Sequence, residues 1–556
     1  IILKKVEACL VPGYLLSWQL KIASWLVENY GLSWPVALNQ FVYFKPNRNF
    51  KIDKDLSYLK TNSGLVVSSG QLISNLVYSS LAGLEKAIDG LLSREVSKNR
   101  QILFLVPTQN RLDWWLDKLK DKFPVVAFSS SSSLSFGRSL WLKLRQKDNC
   151  LVIGSRLALF LPFNNLGGII IDQSANENYR QSDQFPRYDP VVLAKQIALI
   201  NNVNCLQLSA APRLESWQAA RLNQEKFKVL KDSLPRLEVI DMTADRQAGH
   251  KGLLAEVCLK QMETSLKSGK NVFVYLNRLG EATAAICQDC GYSPVCSNCQ
   301  RNLVSRLGKS NLYCYHCSKE QDYPLPCPGC SGNNFLMRGT GLDKLYNWLV
   351  GLRPDWVLFK DSLPAGLNNS PFVLVGGQAA WQKCRAGDFG LIVLVNPDGE
   401  MSLPEFRAPE RLWHRLYEFL SSGVDKVMAQ TYRLNSNIWQ SFSKSIDKRT
   451  YFYEREIKER FKYQYPPFSG LLRLTWARSE EKVALAEARF LKNKLRNFLS
   501  ENFSLIGPYP DYYKQLRGKY RWHLLIKAKS SNDFKTIWPL LPDDVIIDID
   551  PENILS

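Results

Sequence analysis

The sequence predicts an α/β chain with two parallel-sheet lobes, a double metal-binding insertion in the second lobe, and a small α+β domain at the C-terminal end. Three observations predict it. Short continuous apolar runs, such as Gln101–Val106 (QILFLV) and Leu391–Val395 (LIVLV), alternate with helix-length segments, as parallel strands buried on both faces do. That alternation occurs twice along the chain. Inside its second occurrence stand four Cys-x-x-Cys pairs, between Cys287 and Cys330.

The elements follow in order. Leu15, Leu16, Trp18, Leu20, Ile22, Ala23, Trp25 and Leu26 recur with helical spacing, and Gly31 ends that helix. Pro46 and Asn47-Arg-Asn read as a linker. The first lobe takes a strand at Gly64–Ser68, a helix at Leu81–Leu92, and strands at Gln101–Val106, Leu151–Ile153, Gly168–Ile171 and Asn204–Leu208. Ser129–Ser133 reads as a loop whose position also permits a cap on the helix Leu134–Arg145. The second lobe takes strands at Asn271–Leu276, Phe372–Val375 and Leu391–Val395. After about residue 446 come a charged helix (Tyr453–Phe461), a strand (Leu471–Trp476), a long helix (Glu480–Phe498) and strands at Trp522–Ile526 and Val545–Ile549.

A length of 556 residues suits three to four domains at about 150 residues each. Hydrophobic residues at 45% and charged residues at 22% can build cores and exclude disorder as the main state. No run approaches the roughly 18 apolar residues of a membrane-spanning helix, so no membrane role is expected. Lys4, Lys5 and Glu7 exclude a secretory signal over the first residues, and the start at Ile1 leads us to expect a missing N-terminus. The net charge of +20 points to a polyanion, nucleic acid first.

The chain has thirteen cysteines, and Cys9, Cys150, Cys205, Cys258 and Cys384 are scattered, as in a reducing compartment. The pairs Cys287/Cys290, Cys296/Cys299, Cys314/Cys317 and Cys327/Cys330 have metal-ligand spacing. Each turn aims two thiolates at one point, and zinc is closed by four, so eight thiolates make two sites. Spacing leaves open whether the pairing is sequential or nested. His316 lies inside a pair and reads as a neighbour of its site.

Asn271–Gly280 (NVFVYLNRLG), the four pairs and Gly339-Thr-Gly-Leu-Asp together resemble the bacterial replication-restart DNA helicase family PriA, also called primosomal protein N′. The resemblance extends through Val152-Ile-Gly-Ser-Arg, Pro162-Phe-Asn-Asn-Leu, Ile169-Ile-Ile-Asp172, Leu208-Ser-Ala-Ala-Pro212, Phe406-Arg-Ala-Pro-Glu-Arg411, Tyr465-Pro-Pro-Phe, Leu505-Ile-Gly-Pro508, Arg521-Trp-His and Asp548-Ile-Asp-Pro551. It implies RecA-like lobes. Residues 1–48 would be a remnant of an N-terminal DNA-binding region, and 49–235 the first lobe. Residues 236–285 and 332–445 would form the second lobe, 286–331 the zinc insertion, and 446–556 a C-terminal DNA-binding domain. It also implies nested zinc ligation: Cys296, Cys299, Cys314 and Cys317 at one ion, Cys287, Cys290, Cys327 and Cys330 at the other.

The nucleotide motifs depart from that family. A phosphate cradle, GxxxxGK[ST], occurs nowhere. Against Val66–Tyr78, Ser74 takes the place of its Lys and Asn75 that of its Thr. The Asp-Glu-Glu-His of the metal-binding strand end becomes Asp172-Gln173-Ser174-Ala175, and a glutamine cannot serve as a carboxylate base. Ala211 replaces a threonine, and the arginine-rich segment expected after Leu416 is missing. ATP is therefore not expected to be a cofactor.

Three stretches interleave cations with aromatics, as backbone neutralisation and base stacking require. Lys514, Arg517, Lys519 and Arg521 stand beside Tyr513, Tyr520 and Trp522, though Trp522 also opens a strand and can be core. Arg455, Lys458, Arg460 and Lys462 line Glu454–Tyr465, equally a solvated helix face. Arg301, Arg306 and Lys309 neighbour Tyr313 and Tyr315. The expectation is a cytoplasmic, nucleoid-associated, monomeric DNA-binding protein of the primosome. It would recognise forked or single-stranded DNA as a scaffold, with primosome and single-strand-binding proteins as partners. The alternative from the enzyme class is an active ATP-dependent 3′-to-5′ helicase.

Overall fold

A computed structural model describes residues 14–42, 72–96, 98–180, 185–230, 234–276, 342–364, 370–385, 387–401, 405–443, 448–511 and 518–555. Within the cysteine-rich insertion it describes 283–284, 286–287, 290, 292, 294–297, 303–305, 311–314, 319–333 and 335–336. The expected strand Gly64–Ser68 and the linker at Pro46 lie outside the described residues. The chain forms two compact units: 1–77, 85–209 and 219–229 make the first, and 78–84, 210–218 and 230–556 the second. Among the described residues no helix is long and apolar enough to cross a membrane.

The first unit is built on a seven-stranded, all-parallel sheet. In chain order its strands are β1 (Ile73–Val77), β2 (Gln101–Leu105), β3 (Val125–Phe128), β4 (Leu151–Gly154), β5 (Leu166–Ile171), β6 (Asn204–Ser209) and β7 (Lys226–Val229). Their order in the sheet is β3-β4-β2-β5-β6-β1-β7. The central strands β2, β4 and β5 are buried along their whole length, which is why they read as unbroken apolar runs. Helix α1 (Ser17–Tyr30) ends on Gly31 in the left-handed conformation, as expected for that glycine. It is tied to this unit by Trp18 Nε1 to Phe163 O at 3.0 Å and Gln19 Nε2 to Phe160 O at 3.0 Å. Helices α2 (Leu81–Val96), α3 (Gln109–Leu119), α4 (Leu134–Arg145) and α5 (Pro190–Asn201) follow. Ser133 caps α4, accepting from Phe136 N at 3.2 Å, so the serine run ends in a helix cap.

The second unit opens on a six-stranded parallel sheet. It comprises β8 (Arg236–Asp241), β9 (Val272–Tyr275), β10 (Leu358–Lys360), β11 (Val373–Gly376), β12 (Leu391–Leu394) and β13 (Lys426–Thr431), ordered β10-β11-β9-β12-β13-β8. Its core gathers Val272, Val274, Val373, Val375, Leu391, Val393 and Met428. A four-stranded antiparallel sheet ends the unit: β14 (Gly470–Arg478), β15 (Ser504–Pro510), β16 (Tyr520–Ala528) and β17 (Ile546–Ile549), ordered β15-β16-β14-β17. Helices α6 (Ala408–Leu420), α7 (Lys448–Lys462) and α8 (Glu481–Phe498) belong to this unit. Leu491 and Leu495 of α8 are buried, worth about 2 kcal/mol each in apolar transfer.

Candidate metal and nucleotide sites

The insertion enters and leaves through a two-stranded antiparallel ladder that pairs Ile286 with Leu336 and Cys287 with Phe335. That ladder brings the first and last Cys-x-x-Cys turns together. Cys287 Sγ lies 3.6 Å from Cys330 Sγ, and Cys290 Sγ lies 3.7 Å from Cys327 Sγ. All four sulphurs fall within 4.8 Å of one another. A tetrahedron with zinc–sulphur bonds of about 2.3 Å has edges of about 3.8 Å, so this all-sulphur donor set can hold a metal ion and is consistent with zinc. Gly329 is needed here, since a Cβ on it would meet Cys290 Sγ at 3.1 Å. Burial pushes the Cys290 thiol up to about 12, against the Tyr292 N–H, and the neighbouring thiols of Cys330, Cys327 and Cys287 push the same way.

Nested pairing, implied by the family resemblance, thus has its outer half in the geometry. Of the inner set, Cys296 and Cys314 are both fully buried in one cluster with Leu303 and Leu312. Cys299, Cys317 and His316 lie outside the described residues, as do Arg301, Arg306, Lys309 and Tyr315. Tyr313 is buried with Phe406, Tyr465 and Leu471, so it packs and does not face a strand of DNA.

The expected cradle position requires a correction. Ser74 and Asn75 lie inside β1, paired in register with Leu206 and Gln207 of β6 and with Lys226 and Phe227 of β7. Asn75 donates from Nδ2 to Glu225 Oε2 at 2.7 Å and accepts from Gln207 Nε2 at 3.0 Å. Glu225 in turn pairs with Lys195 at 2.7 Å. These side chains complete a polar cluster between strands, not a phosphate loop. The strand-to-helix turn comes later, at Tyr78-Ser79-Ser80, and carries neither glycine nor lysine. Ser80 Oγ accepts from Gly83 N at 3.1 Å, using one of the N–H groups that an anion would need. Within the second unit the Arg449 guanidinium donates to Tyr78 O and Ser79 Oγ at 3.3 Å each and to Ala210 O at 3.0 Å. The turn is therefore occupied by a cation of the protein's own.

Asp172 follows β5 and is fully buried. Both its oxygens are taken by Arg111 of α3, Nε to Oδ2 at 2.7 Å and Nη2 to Oδ1 at 2.9 Å. Arg111 also stacks over Trp114, 4.4 Å from the ring centroid. Gln173 adopts a left-handed conformation with φ 46°, and its Oε1 accepts from Asn176 Nδ2 at 3.0 Å. Both Asp172 oxygens and the Gln173 carboxamide oxygen thus have partners within the protein. After Leu416, α6 runs to Leu420, and Ser421 and Ser422 bond back to Glu418 O and Phe419 O. No Arg or Lys occurs from Leu416 to Asp425, where β13 is about to begin.

Phe406–Arg411 and α7 share a buried ion network. Glu410 Oε2 accepts from Arg460 Nη2 at 2.6 Å, and its Oε1 accepts from Leu214 N at 2.8 Å. Burial opposes its charge, but Arg460, His414 and Arg407 outweigh burial and hold the carboxyl well below its usual range. Arg460, expected as a possible DNA contact, is 2% exposed and so belongs to this network. Lys458 and Lys462 are exposed, and Arg455, also exposed, donates to Asn437 Oδ1 at 3.0 Å.

The C-terminal basic run also divides. Lys514 and Arg517 lie outside the described residues. Lys519 is exposed, while Arg521 and Trp522 are half-buried neighbours on β16, where successive side chains leave on opposite faces. They cannot form one stacking platform. On the Arg521 face, His523 bridges Thr475 Oγ1 at 2.8 Å and Asp511 Oδ2 at 3.2 Å.

Comparison with known proteins places the chain among relatives. The family described as the primosomal protein N C-terminal domain matches residues 462–551. A Bacillus subtilis (strain 168) replication restart protein PriA is 25% identical over 475 residues, covering 80% of this chain and 58% of that protein. A Synechocystis sp. replication restart protein PriA is 25% identical over 499 residues, covering 82% and 59%. The chain thus spans about three fifths of the length of these curated relatives. The solved structure of RecG bound to a three-way DNA junction is 12% identical, with a TM-score of 0.39, covering 70% of this chain and 44% of that one.

Proposed function

We propose that this chain, a divergent relative of the PriA replication restart proteins, serves replication restart as a DNA-binding scaffold that holds two zinc ions and does not hydrolyse ATP. The observation that carries this reading is the closure of Arg111 on both oxygens of Asp172. Phosphoryl transfer needs a metal carboxylate, a cation at the β/γ-phosphates and a transition-state arginine. The first is neutralised internally. The second would come from a turn without lysine, and the third from a segment without arginine.

Zinc, when bound, supplies structure, because four thiolates leave no open position for a water or substrate. Its binding energy is folding energy for the insertion. The substrates in this reading are forked and single-stranded DNA, with primosome and single-strand-binding proteins as partners of a monomer acting at the nucleoid in the cytoplasm. Residues 1–48, 49–235, 236–285 with 332–445, 286–331 and 446–556 serve as the N-terminal remnant, first lobe, second lobe, zinc insertion and C-terminal DNA-binding domain.

The net charge of +20 supports a phosphate-dominated interface, in which each neutralised phosphate releases counterions. Affinity for forked and single-stranded oligonucleotides, measured without nucleotide across a salt series, tests the reading. A steep loss of affinity with salt, unchanged by ATP, is expected. Affinity that stays flat with salt, or that requires ATP, would contradict it.

A further inference from the structure

The helix α8 lies on one face of the C-terminal sheet. Ala484, Ala488, Leu491 and Leu495 form its buried side. Glu487 reaches Arg478 of β14 at 2.7 Å, and Lys492 donates to Gly507 O of β15. The side turned away from the sheet differs from an ordinary solvated face. Val483 is 40% exposed, Phe490 73% and Phe498 57%. Lys482, Arg489, Lys494 and Arg496 are exposed among them.

The spacing orders these residues into two ridges. Lys482, Arg489 and Arg496 recur every seven residues, so three cations stand about 10.5 Å apart along one line. Val483 and Phe490 form a second line, roughly 100° further round the helix. Between the lines lie Ala486 and Asn493, both exposed, and Asn497 continues the second line past Phe490. Past the first turn, the one acidic residue of α8 is Glu487, already paired with Arg478. A single exposed apolar residue needs no explanation, but an exposed apolar pair beside a regular row of cations does.

We infer that this outer face of α8 binds single-stranded DNA, with phosphates along Lys482, Arg489 and Arg496 and a base stacked on Phe490. The inference rests on the DNA-binding role proposed above and gives it a location. An anionic polymer matches the charge, and a flat base matches an exposed ring better than any aliphatic residue would. Its residues do not depend on the strand alternation that divides Arg521 from Trp522.

Fluorescence anisotropy of a labelled oligo-dT on the intact chain tests it, with variants Phe490→Ala and Arg489→Glu/Arg496→Glu. These side chains are exposed, so the variants keep the wild-type melting profile. Phe490→Ala is expected to weaken binding about tenfold or more. The double charge reversal should weaken it further and flatten its salt dependence by roughly two phosphate contacts. A control reversal at an exposed lysine elsewhere, Lys267→Glu at the end of the helix Glu256–Lys267, should change affinity little. Wild-type binding that both folded variants retain overturns this location and leaves the DNA-binding role standing. If the wild type fails to bind, the role itself falls. If the variants lose only an acidic peptide of alternating Asp and Phe, with DNA affinity unchanged, the face belongs to a protein partner and the inference is wrong.

Discussion

Arg111 holds Asp172 by two parallel hydrogen bonds of 2.7 and 2.9 Å, so that a fully buried carboxylate is neutralised by a guanidinium from a helix 61 residues earlier. A bidentate pair of this kind uses both oxygens in the plane where a metal would approach. At this strand end the pair ties α3 to β5 within the first unit.

Arg111→Ala is expected to destabilise the first unit by about 3 kcal/mol or more, because it leaves a buried charge without its partner. Denaturant midpoints measure this. Adding Mg²⁺ to the wild type should leave the midpoint where it was. A Mg²⁺-dependent stabilisation of the wild type, lost in Asp172→Ala, would show that the pair opens for metal.

Metal analysis of the purified chain should find about two zinc ions. Cys327→Ser should release one and leave the other, and Cys314→Ser should do the converse. The sulphur distances of 3.6 and 3.7 Å supply the reason for the first. If Cys327→Ser released both ions, or neither, the nested pairing would be wrong.

His523 is buried, and burial lowers its pKa from 6.5 to about 4, against its hydrogen bond to the Asp511 carboxylate, which raises it. The unfolded chain therefore takes up a proton at higher pH than the folded chain does. Stability is unaffected by this group above about pH 6.5 and falls as pH drops from there towards 4. The loss amounts to roughly 3 kcal/mol over the window. His523→Gln should flatten the pH dependence of the unfolding free energy between these limits. An unchanged slope would assign the acid sensitivity elsewhere.

How much of this was legible in the sequence follows the physics of each element. Strands buried on both faces, such as β2 and β12, read directly because nothing polar interrupts them. β1 did not, because Ser74 and Asn75 stand at its centre. Their partners, Cys205 O, Gln207 and Glu225, come from strands more than a hundred residues away. β7 was missed because Lys226-Phe-Lys-Val is exposed throughout and carries no apolar run. Each Cys-x-x-Cys turn was legible from spacing because it fixes its own local geometry. That Cys287 and Cys290 meet Cys327 and Cys330 was not, because a ladder between residues as far apart in the sequence as Ile286 and Leu336 brings them together. Arg111 was not singled out, and no local pattern ties it to Asp172. Arg521 and Trp522 could have been separated earlier, because assigning Trp522 to a strand already commits its neighbour to the opposite face. The ridges of α8 were also available, at spacing seven, once its buried side was known.

Whether the nucleotide motifs have turned into structure is decided by phosphate release from ATP by the purified chain. The comparison is with and without forked DNA, beside Asp172→Ala. Background turnover is expected under every condition, with no difference between wild type and variant. DNA-stimulated ATP hydrolysis by the wild type that Asp172→Ala abolishes would contradict it and make the chain a working helicase motor.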